Sequence, residues 1–141
     1  MRTFEFDVMG ESFVGITASA EDQEMLFRLL GQSGGLSILN DEYEDDDGNK
    51  QKVTDLQKIL VILSIPNDFY RQIVKIVSGA TANKDLIKKE DGQIITIKNF
   101  ADNVHKWSLI VAEMIRGNLS SFTQLTALDE RESKSGESSE I

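Results

Sequence analysis

Residues 99–125 read NFADNVHKWSLIVAEMIRGNLSSFTQL, and the fold turns on this stretch. Phe100, Val104, Trp107, Val111 and the Met114–Ile115 pair recur at steps of three and four, which lays one apolar stripe along an α-helix. Asn99 supplies an N-cap, and Asp102 puts negative charge where the helix dipole favours it. Gly117-Asn118 brings two residue types that tolerate the left-handed conformation closing a helix. About 18 residues of helix span about 27 Å, the width of a small domain. The rest of the chain is therefore expected to pack on this helix and bury its single tryptophan. Leu119, Phe122 and Leu125 carry the apolar spacing past the break.

With 141 residues, 40% of them hydrophobic, the chain can bury one sizeable core, so a single globular domain is expected over residues 1–128. There is no cysteine, which removes disulfides and thiol chemistry. Glu5 and Asp7 stand where a secretory leader needs an apolar run. The longest aliphatic run, Ile59–Leu63, falls far short of the about 20 residues of a membrane helix. A soluble, cytoplasmic protein is expected. Its net charge of −9 argues against nucleic acid or an anionic membrane surface as partner, since phosphate binding needs clustered Lys and Arg.

Taken in order, Phe4, Phe6 and Val8 alternate with Thr3, Glu5 and Asp7, the period of a half-buried strand. A turn at Met9–Ser12 and a second strand over Phe13–Thr17 complete an N-terminal β-hairpin. Ser19 caps a helix over Ala20–Leu30 that carries Met25, Leu26, Leu29 and Leu30 and stops at Gly31. Leu36–Leu39 reads as a short strand or a buried turn. Thr54 caps a further helix with Leu56, Ile59, Leu60 and Leu63 on one face and Val61 and Ile62 on the other, so it should be covered on most of its circumference. Pro66 ends it, and Phe69, Ile73, Ile76 and Val77 mark the next helix, closed by Gly79. Asp91-Gly92, between Leu86-Ile87 and Ile94–Ile97, signals a small second hairpin. The polar residues 129–141 read as a disordered tail. The fold class is α+β: an N-terminal hairpin packed on a bundle of about four helices.

Candidates for chemistry are few. Asp41–Lys50, DEYEDDDGNK, invites a calcium assignment through Gly48, but the first and last ligand positions would be Tyr43 and Thr54, where carboxylates belong. A solvated acidic spacer is the expectation, with no metal. His105 is the single histidine, so no two-His ligand set exists within one chain. Lys84, Lys88 and Lys89 form a cationic patch without the interleaved aromatics that stack on bases. No nucleophile elbow, phosphate loop or zinc-protease motif occurs. Neither catalysis nor a cofactor is expected.

TFEFDVMGESFVGIT (Thr3–Thr17), the acidic helical middle, and VAEMIRGNLSSF (Val111–Phe122) together resemble the tail assembly chaperone family of long-tailed bacteriophages. The long acidic loop and KKEDGQIITI depart from that pattern. The resemblance implies a non-enzymatic protein of the host cytoplasm that coats the aggregation-prone tape measure protein and helps recruit tail tube protein. Such a chaperone needs apolar surface for its client and should self-associate. Leu119, Phe122 and Leu125 after the Gly117-Asn118 break, with Phe4 and Phe13 on the hairpin, are the candidate protein-binding residues, against ordinary core packing as the alternative. Two other functions fit the same composition: a structural subunit of a virion tail or connector, and an acidic inhibitor that mimics nucleic acid.

Overall fold

The computed structural model describes residues 2–79, 87–89 and 91–121. The elements run β1 (Thr3–Val8), β2 (Glu11–Ile16), α1 (Ala20–Ser33), a 3-10 turn (Gly35–Leu39), β3 (Glu42–Glu44), β4 (Lys50–Lys52), α2 (Asp55–Ser64), α3 (Asn67–Ser78), β5 (Ile87–Lys89), a second 3-10 turn (Ile97–Phe100) and α4 (Val104–Asn118). This is the α+β arrangement expected, with an antiparallel sheet in the order β1-β2-β5 and a separate β3-β4 ribbon. Val8 pairs with Glu11, so the hairpin loop is only Met9-Gly10. Both residues have positive φ, 51° and 81°, as a tight primed turn requires. Ile94 bridges back to Lys88 with Gly92 at φ 91°, so the small second hairpin joins the main sheet as its third strand. Among the described residues no helix is long and apolar enough to cross a membrane.

At the centre lies α4, with β1, α2, α3 and both 3-10 turns packed around it. Trp107, Leu109, Ile110, Val111, Ala112, Met114 and Ile115 are all buried, which is most of the circumference rather than one stripe. Two boundary expectations are corrected. Asn99 does not cap this helix: its Oδ1 accepts from Thr96 N at 2.9 Å in a capping box that closes the preceding 3-10 turn. Val104, expected on the core stripe, sits in the first turn and is 55% exposed.

Gly117 and Asn118 do end the helix, as its last two residues, but neither takes the left-handed conformation expected of them. Both lie inside its last turn, because each has a partner from the N-terminal region. The Phe4 ring rests on Gly117, where a Cβ would stand 2.2 Å from a ring carbon. Asn118 is buried; its Oδ1 accepts from Ala18 N at 2.8 Å and its Nδ2 donates to Met114 O at 2.8 Å. Arg2 Nη2 donates to Gly117 O at 3.1 Å. Strand, loop and helix end are thus tied at one place by residues that read, in sequence, as a stop signal.

Helix α1 runs past Gly31 to Ser33 and closes at Gly34, whose φ of 79° is the left-handed cap. Ser19 caps it by accepting from Asp22 N. Its Leu26, Leu29 and Leu30 enter the same core as Ile73, Ile76 and Val77 of α3, against which α1 packs. Residues 36–39 belong to a buried 3-10 turn, not a strand.

The acidic spacer is an ordered ribbon. Glu42 faces Lys52 and Glu44 faces Lys50, so opposite charges stand across the strands. Asp45 builds the turn: one carboxylate oxygen accepts from Asp47 N (3.0 Å) and Asn49 N (2.8 Å), the other from Gln51 Nε2 (3.1 Å). At the base, Arg116 donates to Ile38 O and Asn40 O and pairs with Asp41. The Asn49 amide, above all, holds the Asp45 carboxyl below its ordinary pKa. A lowered folded-state pKa stabilises the turn above the usual carboxylate range, and that contribution is lost as pH falls through the lowered value. Hydrogen-exchange protection at Asp47 and Asn49 should therefore fade below about pH 4 while α4 amides stay protected. Asp45→Ala should abolish that protection at neutral pH without moving the thermal midpoint. A fall in the midpoint, or an unchanged turn, would contradict this role.

Candidate protein-binding surface

Helix α2 starts in a full capping box: Thr54 Oγ1 accepts from Gln57 N at 3.2 Å, and Gln57 Oε1 from Thr54 N at 2.7 Å. It packs on α4 and on the first 3-10 turn. The side turned inward carries Lys58, Ile62 and, just past the helix, Ile65. Lys58 Nζ meets Glu113 Oε1 on α4 at 2.9 Å, with both side chains about four-fifths buried. Ile62 is 2% exposed and Ile65 5%. Leu56, Leu60 and Leu63 share the spacing of that set but are displaced from it by two positions, about 200° around the helix. They point away from the core and are 65%, 55% and 69% exposed.

This corrects the expected coverage of α2. Both of its faces have apolar residues at helical spacing, so periodicity cannot say which turns inward. In the structure the Ile62 side turns inward, with Lys58 of that side on Glu113 of α4. The outward leucines follow a four-then-three spacing, that of a helix–helix seam. Three half- to two-thirds-exposed leucines on one rigid face form a contiguous patch of a few hundred Å², the scale at which a patch on a monomer carries function. It is too small for the about 800 Å² per partner of a stable dimer, and of a size that one apolar helix face covers.

The residues named from sequence lie elsewhere. Phe13 is fully buried, stacked on Phe6 at 5.7 Å between ring centres, with the Lys106 ammonium 5.9 Å from its ring. Leu119 is 6% exposed. Phe4 is half-buried, wedged between Gly15 and Gly117. Phe122 and Leu125 lie outside the described residues. Other exposed apolar side chains, such as Met9, Met25, Ile94, Ile97 and Val104, come from separate elements rather than one helix face.

Among the described residues no three or more His, Asp or Glu side chains converge as for a metal. His105 is exposed on α4. A polar cleft of about 250 Å³ lies between Glu11, Lys89, Asn99, Phe100, Asn103 and Lys106. Its carboxylate and one of its ammonium groups already face each other, Glu11 Oε1 to Lys106 Nζ at 3.6 Å. No protein-family model, curated protein or solved structure matches the chain.

Proposed function

We propose that this protein is a non-enzymatic chaperone that covers the apolar face of a helical client with the outward leucines of α2. The observation that carries the reading is the Leu56–Leu60–Leu63 stripe, which the fold leaves open on a helix fixed in place by Lys58, Ile62 and Ile65. A rigid helix with seam-spaced leucines binds amphipathic helices by laying one apolar stripe against another. Around the stripe Gln57, Ile59 and Ser64 are uncharged, and Asp55, exposed beside Leu56, is the one charge of α2 at its edge, so the client's flanking charges are selected little. That suits a chaperone meeting many successive segments of one long helical protein. In its narrower form, taken from the sequence resemblance, the client is the tape measure protein of a long-tailed bacteriophage, and the coated client recruits tail tube protein.

The test is co-expression with the tape measure protein of the same genome. Wild type should keep that client soluble and co-purify with it in many copies. Leu56→Asp, Leu60→Asp and Leu63→Asp combined should weaken capture at least about a hundredfold, as loss of central anchors does. Circular dichroism and thermal midpoint should stay native, because these side chains are outside the core. Capture undiminished by the triple change would remove α2 from the interface. Failure of wild type to bind the client would end the chaperone reading.

A further inference from the structure

A second cleft, of about 310 Å³, is lined by Tyr70, Arg71, Val74, Lys75, Ile97 and Trp107. Trp107 forms its floor, and half-exposed Ile97 stands on its wall. Arg71 and Lys75 lie one turn apart on α3, both exposed, and neither makes an ion pair among the described residues. In a chain with 24 acidic residues against 15 basic ones, two cations on the rim give this apolar cleft a positive edge. They favour an occupant that combines aliphatic side chains with carboxylates.

We propose that this cleft takes the chain's own C-terminal segment, with Leu125 and Leu128 on the apolar floor and Asp129 and Glu130 at Arg71 and Lys75. Three facts select that occupant. Residues 122–141 carry five carboxylates, Asp129, Glu130, Glu132, Glu137 and Glu140, against Arg131 and Lys134. Within them LTALDE sets two leucines directly before two acids, the order that a cleft with an apolar floor and a cationic rim needs. The reach is also sufficient: Ser121 to Leu128 spans up to about 24 Å when extended, and Trp107 lies about 20 Å back along α4. The contact is independent of what α2 binds.

Because the chain has no cysteine, disulfide trapping reads the contact directly in the full-length protein. Ile97→Cys with Leu128→Cys places one thiol on the cleft wall and one in the segment. Lys52→Cys with Leu128→Cys, on exposed β4, is the reference pair. Rates are normalised to each thiol's reaction with a small disulfide. The cleft pair should close within one chain at least about tenfold faster than the reference, the gain of a held over a free end. Adding Arg71→Glu and Lys75→Glu should slow it by about tenfold, as should raising salt from about 0.05 M to about 0.5 M. Equal rates in the two pairs, or a cleft rate unmoved by charge reversal, would overturn the proposal. Crosslinked dimers in place of crosslinked monomers would do the same, by assigning the cleft to a second copy.

Discussion

Trp107→Ala is expected to cost about 3–5 kcal/mol, the loss that follows removal of a fully buried aromatic. The side chain is 2% exposed, its ring lies 6.0 Å from that of Phe100, and it hydrogen-bonds the Tyr70 hydroxyl. Three elements therefore lose contacts together: α4, α3 and the 3-10 turn before α4. Burial, the larger influence on Tyr70, raises its pKa, while the bond from Trp107 opposes it. For a domain of this size the thermal midpoint should fall by about 10 °C or more. Trp107→Phe, which keeps a ring in the site, should recover a substantial part of that loss. A shift below about 3 °C for the alanine variant, within the range of ordinary surface changes, would show that the core is not organised around this residue.

Gly117→Ala is the second large effect, and its sign is the informative part. In an ordinary helix interior that change is stabilising by about 0.5–1 kcal/mol, because alanine loses less backbone entropy. Here the new Cβ would stand 2.2, 2.4 and 2.6 Å from three atoms of the Phe4 ring, which itself lies over Gly15. The ring cannot withdraw without disturbing the hairpin, so a loss of about 1–3 kcal/mol is expected from overpacking. In a Phe4→Ala background the same glycine change should become neutral or stabilising. Chemical denaturation of the four proteins in this cycle measures the coupling directly. Additive effects would mean that the hairpin does not rest on the end of α4.

Both results concern residues whose sequence meaning and structural meaning differ in instructive ways. Trp107 was legible because α4 is long, strongly periodic and holds the single tryptophan. Gly117 and Asn118 marked where the helix stops but not how, because residue type alone reports what a backbone can do, not what packs on it. A glycine before an asparagine is a good helix terminator in isolation. Here, with Phe4 over one and Ala18 bonded to the other, they stay helical as the last two residues of α4 and anchor the N-terminal hairpin.

The acidic ribbon shows the same limit at shorter range. Its composition reads as a solvated spacer, and every residue of its two strands is indeed exposed. Its order comes from one carboxylate among several, Asp45, which turns its oxygens onto the Asp47 and Asn49 amides. Nothing in DEYEDDDGNK distinguishes Asp45 from Asp46 or Asp47 except where the turn falls.

By itself the sequence determined the α+β class, the N-terminal hairpin, the helical segments and the central place of the Trp107 helix. Those are local matters, set by periodicity, capping residues and turn chemistry within windows of a few residues. Tertiary structure alone decided which face of α2 looks outward. Leu56, Leu60 and Leu63 form as good an apolar stripe as the opposite side of the helix. Packing on α4 holds Ile62 in the core with Lys58 on Glu113, from segments 55 positions apart in the chain, and leaves the leucines in solvent.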